Sequence, residues 1–269
     1  MIRRPCLSFA SLAAILIVTC APGCKKTEQQ TGQEPVAGEA VDSVDVAQNE
    51  AALVVAASDT AGAEATADQA AQAAVTAAPT AYSPKECVTA ELTGKSTVLY
   101  TLDDCTGPYG LIHVTGEVTV VFSDQSDGLH AHATATGLSI NGATIDLDAN
   151  ATYEVSGTQK TLSVTTQGKG TGPRGNSITR SGEYTATWDS GTSCFGLDGD
   201  WSTRVGVVAW DTKVAGYDRC ATECPASGGS ISWTGQNGKS LTVTFDGTDA
   251  AKWQTSTGKS GTVDLFCGS

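Results

Sequence analysis

The residues of this chain that could do chemistry are its cysteines, histidines, carboxylates and tryptophans, and the cysteines say most. Nine are present, and six lie between positions 87 and 269. An even number of cysteines in an exported chain is typical of disulfides. The spacing of Cys220 and Cys224 suggests zinc as the alternative, but zinc sites use tighter or paired spacings with histidine nearby, and no histidine follows His132. We therefore predict three disulfides and no metal or cofactor, from Cys87, Cys105, Cys194, Cys220, Cys224 and Cys267.

The pairing of these six cysteines follows partly from expected hairpins. Cys87 and Cys105 flank two runs joined by residues 93–96, so a hairpin there would bring them into disulfide range. A hairpin folded near Val205 sets Cys194 close to Cys220, which leads us to predict Cys194–Cys220 and Cys224–Cys267. The second of these pairs requires the last strands to curl, or loop 226–229 to cross their end. Two alternatives stay open: Cys194–Cys224 with Cys220–Cys267, and Cys220–Cys224 with Cys194–Cys267.

Histidines and carboxylates form no recognisable catalytic or metal-binding pattern. His130 and His132 share one strand face, but His113 is too far along the preceding strand to join them. The run Asp146-x-Asp148-x-Asn150 begins like a calcium loop but lacks the required glycine and glutamate, so it is interpreted as the polar face of a strand. No serine lies in a nucleophile elbow. An enzyme is not expected, although a hydrolase built on two carboxylates stays open.

Aromatic and cationic residues of the second half suggest a ligand surface. All five tryptophans follow residue 187, and aromatic side chains on a β-surface serve either as a binding platform for sugar or protein or as core. Two arginines flank a glycine-rich loop at 170–182, where they could hold an anion or pair with carboxylates. The candidate ligand-surface residues are Trp201, Trp210, Trp233, Trp253, Arg174 and Arg180.

The amino-terminal residues concern location. Arg3 and Arg4 precede an apolar run that ends at Gly23 and Cys24, which describes a secretory signal peptide. A cysteine at the cut resembles a bacterial lipoprotein signal, and this resemblance implies cleavage before Cys24 and acylation of that residue. Cys20 is a second candidate, and an ordinary secreted protein or an uncleaved anchor are the alternatives. Lys25 follows the lipid cysteine, and by the same resemblance this favours the outer membrane.

Charge and composition divide the rest of the chain. Residues 25–85 carry a net charge of −6 and almost no aromatic side chains, so we expect a disordered tether. Residues 86–269 carry −9, and an acidic surface disfavours nucleic acid as a partner. The predicted organisation is a signal peptide over 1–23, an acylated linker over 24–85 and a folded domain over 86–269.

The elements that must position these residues are strands. Alternation of apolar and polar residues recurs throughout 86–269, as in 129–133, 145–149 and 241–245, and Asn-Gly or Asp-Gly pairs separate the runs. A motif of tryptophan followed by Gly-Lys-Ser and Thr-Val occurs at Trp233 and again at Trp253, which predicts two similar hairpins. The expected fold is all-β, an antiparallel hairpin meander forming a sandwich or a partly closed barrel.

These observations together lead to an expected function. We expect an envelope lipoprotein whose β-domain is a non-catalytic module binding glycan or an envelope protein. A structural envelope protein without a specific ligand and a hydrolase are the alternatives.

Overall fold

The computed structural model describes residues 65–82, 84–106, 113–140, 142–172, 175–189, 192, 194–220, 223–265 and 267. The predicted signal peptide, the acylation site at Cys24 and the candidate ligand residue Arg174 lie outside the described residues.

The chain forms one antiparallel sheet of thirteen strands that lie side by side in chain order, and the sheet is not closed. The prediction of an all-β antiparallel meander is confirmed. Short turns of glycine and polar residues join most neighbours, as at Gly206, whose φ of 59° suits the first central position of a type II′ hairpin turn. The strands are β1 (Val88–Leu92), β2 (Thr97–Thr106), β3 (His113–Gln125), β4 (Gly128–Ile140), β5 (Ala143–Ser156), β6 (Gln159–Thr171), β7 (Ser177–Asp189), β8 (Cys194–Val205), β9 (Val208–Cys220), β10 (Ser230–Gly235), β11 (Ser240–Thr244), β12 (Ala250–Thr255) and β13 (Ser260–Asp264).

One face of the sheet carries the hydrophobic core along its whole width. Successive side chains of a strand point to opposite faces, so the alternating pattern places every second residue on this apolar face. In register, Val98, Val120, Ala133 and Ala149 follow one another from β2 to β5, and all four are buried. Small side chains predominate on this face in β4 and β5, whereas bulky ones such as Trp201 lie in later strands. The apolar side chains belong to a single hydrophobic cluster.

A helix, α1 (Ala67–Ala81), packs against β1, β2 and β3, and this corrects the expectation of a disordered linker up to residue 85. Thr66 caps its first turn in a capping box with Gln69, and Asp124 of β3 accepts a hydrogen bond of 2.8 Å from the backbone N–H of Ala67. Its buried stripe has helical spacing: Ala67, Ala70, Ala71, Ala74 and Ala78. The stripe went unrecognised because alanine buries little area per residue, yet small side chains allow a helix to approach a sheet closely.

All three predicted disulfides are present. Cys87 pairs with Cys105, Cys194 with Cys220 and Cys224 with Cys267, with Cα–Cα distances of 5.1, 3.8 and 5.1 Å. The alternative pairings are therefore excluded. The register between β8 and β9 shifts between Leu197 and Gly199, and this shift sets Cys194 directly opposite Cys220. No helix among the described residues is long and apolar enough to cross a membrane.

Candidate functional site

The second face of the sheet is polar, and its side chains align into rows across the strands. One row follows the strand register through Gln167, Ser181, Ser202, Asp211 and Thr234, all of them exposed. We call these five residues the polar row. They cross β6 to β10, which is about 19 Å at about 4.8 Å per strand spacing. The row therefore offers an extended series of hydroxyl, amide and carboxylate groups.

Two cavities adjoin along the polar row, and we call them together the polar groove. Their volumes are about 870 and 610 Å³, and all five polar-row residues line both. The larger cavity extends to Thr134 on β4 and to Gln236 beyond β10. The smaller one extends along the strands to Thr165 and Ser232. The groove thus crosses seven strands, and no single segment of sequence supplies it.

The charges that line the groove are mixed in sign. Ser202 donates a hydrogen bond of 2.5 Å from its hydroxyl to Asp211, and Asp148 lies 3.3 Å from both His132 and Asn150. Five carboxylates and three cations of the polar face line the groove, so it carries a small excess of negative charge. The carboxylates are Asp146, Asp148, Glu183, Asp200 and Asp211, and the cations are Lys169, Arg204 and Lys213. A neutral polar ligand suits this wall better than a strongly charged one.

The three histidines lie apart from one another, each beside a different aspartate. His113 lies 2.9 Å from Asp104, at the end of the sheet opposite to His130. The His130 Nε2 atom lies 2.8 Å from Asp127, and this hydrogen bond lowers the pKa of the Asp127 carboxyl below its usual value. Each histidine therefore has a carboxylate partner of its own.

Cys194, Cys220 and Asp218 form the one group of potential metal ligands found among the described residues. Their atoms lie within 4.8 Å of one another. Both sulfur atoms are joined in a disulfide, so they are not thiolate ligands.

The predicted ligand-surface residues are only partly brought together. Arg180 lies 4.9 Å above the ring of Trp201, and Trp210 packs edge-on against Trp233 with ring centroids 5.2 Å apart. These four residues fall within adjacent register rows of β7 to β10. Trp210 and Trp233 are half-buried, and because Trp210 precedes Asp211 in β9, its ring lies on the face opposite the polar row. Trp253 lies two strands away from Trp233.

Burial removes two of the tryptophans from a stacking role. Trp201 is 2% exposed and Trp253 is 4% exposed, so neither ring offers a face to a ligand. Trp253 donates a hydrogen bond of 3.1 Å from Nε1 to the Thr262 carbonyl and lies over Gly261, which has no side chain to displace it. The hydrophobic face needs large rings at these positions, which is the core role that aromatic residues also serve.

Asp146 and Asp148 were noted in the sequence only as the polar face of a strand, and the polar-row residues were not singled out from the sequence at all. Alternation marks Gln167 and Asp211 as residues of the polar face, but it marks dozens of other residues in the same way. Only the register across five strands shows that they share a row. No protein family, curated protein or solved structure matches this chain.

Proposed function

We propose that this protein is a lipid-anchored envelope protein whose β-domain is a non-catalytic module that binds a glycan in the polar groove. The observation that carries the proposal is the polar row, because it presents hydroxyl, amide and carboxylate groups along about 19 Å of an open face. Sugars offer hydroxyl groups that both donate and accept hydrogen bonds, and such a row can satisfy several of them at once.

Charge and openness favour a glycan over other ligands. The groove has a small excess of carboxylates over cations, which disfavours an anionic ligand but not a neutral chain of sugars. A long, shallow cavity also admits a polymer without requiring a chain end.

The binding test uses the full chain on a glycan array, followed by calorimetry with the best ligand. Gln167→Ala and Asp211→Ala each remove groups from the polar row. For Asp211→Ala we expect affinity to fall about 10-fold or more, since a hydrogen bond to a charged group contributes about 1.5–3 kcal/mol. For Gln167→Ala we expect a fall of about 2- to 10-fold, since a neutral hydrogen bond contributes about 0.5–1.5 kcal/mol. Gln254→Ala is the matched control, because Gln254 is exposed on β12 outside both cavities. Binding that is unchanged in both groove variants would refute the proposal.

The anchor is a separate part of the proposal, supported by the apolar run that ends at Cys24 and by the polar segment that follows it. Intact-mass analysis of membrane-extracted protein is expected to show a chain that begins at Cys24 with added acyl mass. Cys24→Ala is expected to block this processing. A mature chain that begins elsewhere without acyl mass would contradict the anchor.

A further inference from the structure

The two ends of the sheet differ sharply in charge because of the meander. Consecutive hairpin turns fall at opposite ends, so every second turn shares an end. At one end lie the turns after β6, β8, β10 and β12, and none of them contains an aspartate or glutamate. We call the end of the sheet from β6 to β13 on this side the basic end. Its cations are Lys169, Arg180, Arg204, Lys239 and Lys259.

The opposite end carries the acids. Its turns hold Asp127, Glu223, Asp246 and Asp249, and Glu154 and Asp189 lie at strand ends beside them. The nearest carboxylates to the basic end are Asp146, which pairs in register with Lys169, and Asp211, three residues beyond the start of β9. A domain with a net charge of −9 therefore has one end dominated by positive charge.

An apolar tip protrudes from the basic end. Val207 is 88% exposed and Val208 is 57% exposed, and they are the two most exposed large hydrophobic residues among those described. Val207 occupies the second position of the two-residue turn that begins with Gly206. Polar residues usually occupy such turns, and a valine there contributes nothing to the core.

We propose that the basic end docks onto an anionic lipid bilayer, with Val207 and Val208 entering the headgroup region. Cations around an exposed apolar tip are the combination by which peripheral proteins bind anionic membranes. The five cations occupy four hairpins spread over about 34 Å, seven strand spacings, which suits a surface rather than a compact ligand. A soluble polyanion would account for the cations but not for the valines.

The acidic end also favours one orientation of the domain on an anionic membrane. Anionic headgroups repel Asp127, Asp246 and Asp249 while they attract the opposite end, so the field of the membrane turns the domain basic end first. Four of the five cations are exposed, namely Lys169, Arg204, Lys239 and Lys259.

The test places an environment-sensitive fluorophore on Val207→Cys in the mature full chain, reconstituted with phosphatidylcholine vesicles that contain or lack about one third phosphatidylglycerol. We expect a blue shift and quenching by nitroxide lipids only with phosphatidylglycerol, and loss of both at high salt. The same label on Ser126→Cys, in the turn at the opposite end, is expected to report water throughout.

Charge variants distinguish the basic end from the polar groove. Lys239→Gln with Lys259→Gln lies outside both cavities and is expected to lower the docking equilibrium about 30-fold, from the usual contribution of a cation near an anionic surface. Lys95→Gln with Lys252→Gln removes two exposed cations from the opposite end and is the matched control for net charge.

Each remaining outcome overturns the proposal. A shift that is equal without phosphatidylglycerol, a shift at both labels, or equal effects of the two double variants would exclude oriented anionic docking. A shift with soluble polyglutamate but not with vesicles would assign the end to an acidic protein instead. Glycan affinity of the Lys239 and Lys259 variant reports on the groove independently, so failure of one proposal does not imply failure of the other.

Discussion

At the scale of single residues, glycines determine how tightly neighbouring strands approach. A Cβ atom at Gly170 would lie 2.8 Å from the Ile145 Cα atom of the adjacent strand, closer than real Cβ atoms come to backbone. At Gly168, two residues away on the same face, the nearest atom would be the Ile145 Cγ2 atom at 3.4 Å, an ordinary contact. Glycine inside a strand often marks such a close approach or a sharp bend. Position 170 therefore requires glycine and position 168 does not, although their sequence context is alike.

This difference makes a prediction for β6. Gly170→Ala is expected to lower the free energy of unfolding by about 1–3 kcal/mol, because the added carbon forces β5 to move. Gly168→Ala serves as the control and is expected to change it by less than about 1 kcal/mol. Urea unfolding followed by tryptophan fluorescence measures both, and equal losses would show that the close approach at Gly170 is not real.

A second residue-scale prediction concerns Asp246 in the turn between β11 and β12. The Lys252 ammonium lies 2.8 Å from its carboxylate, Thr248 adds two hydrogen bonds, and together they lower the pKa of Asp246 to about 2. A carboxyl with a lowered pKa in the folded state stabilises the fold above its unfolded value near 4, and that contribution is lost as the pH falls towards 2. Carbon-detected NMR titration measures this pKa directly.

The partners of Asp246 provide the controls. Lys252→Met and Thr248→Val are each expected to raise the pKa of Asp246 towards its usual value, with the larger change for Lys252, since its hydrogen bond is the dominant cause. A titration midpoint near 4 in the unmodified protein would contradict the ion pair.

At the scale of elements, α1 shows how a helix without large side chains can belong to a core. Ala70, Ala71, Ala74 and Ala78 have no exposed surface. Tyr82 follows the helix and is buried, and burial with the neighbouring Tyr100 raises the pKa of its phenol above the usual range. The helix shields an edge of the hydrophobic face that β1, β2 and β3 would otherwise expose.

The close packing of α1 predicts sensitivity to size. Ala74→Leu is expected to destabilise the protein by about 1–3 kcal/mol, because no space exists for three further carbons. Gln72→Leu makes a similar change on the exposed side of the same helix and is expected to alter stability by less than about 0.5 kcal/mol. Denaturant midpoints measure both variants. Similar midpoints for the two would indicate that α1 does not pack on the sheet.

The two carboxy-terminal hairpins show what a repeated motif determines and where its copies diverge. In both hairpins the backbone N–H of the last residue before the turn donates a hydrogen bond to the backbone carbonyl of the lysine that follows the turn. The distance is 2.9 Å from Gly235 to Lys239 and 2.8 Å from Thr255 to Lys259. Trp233 faces Leu241 across its hairpin, and Trp253 faces Gly261 at the equivalent place. The prediction of two similar hairpins is confirmed. The glycine accounts for the deeper burial of Trp253.

At the scale of the whole molecule, the disulfides secure an open sheet that has two free edges. Cys87–Cys105 closes a short loop at the β1 edge, and Cys224–Cys267 joins the segment after β9 to the segment after β13. The latter therefore holds four strands between its ends. A sheet that does not close has no final row of backbone hydrogen bonds to secure its last strands.

Loop length predicts the relative importance of these bonds. Replacing Cys224 and Cys267 by serine is expected to cost about 4 kcal/mol, against about 3 kcal/mol for the same change at Cys87 and Cys105, because the first pair spans 43 residues and the second 18. Thermal unfolding of the two double variants compares them. A larger loss for the Cys87 and Cys105 variant would show that edge packing, not chain entropy, dominates.

The sequence by itself determined the kind of structure present. Period-two alternation is a local property, and so are the Asn-Gly and Asp-Gly turns, so the antiparallel meander was predictable from short windows of residues. The cysteine pairing was also predicted, although the one-residue shift between Leu197 and Gly199 that sets Cys194 opposite Cys220 was not. Helix α1 was missed because its apolar stripe consists only of alanine.

Only the tertiary structure decided which residues meet. Gln167 and Asp211 lie 44 positions apart, and they share the polar row only because three successive registers add to bring them into line. Burial of Trp201 and Trp253, and exposure of Val207, likewise depend on strands distant in sequence. The separation of charge between the two ends depends on chain direction reversing at every turn. Each turn and each β-bulge sets the residue pairing between two neighbouring strands, and these pairings add along the sheet. The alignment of distant strands therefore cannot be derived from any single hairpin.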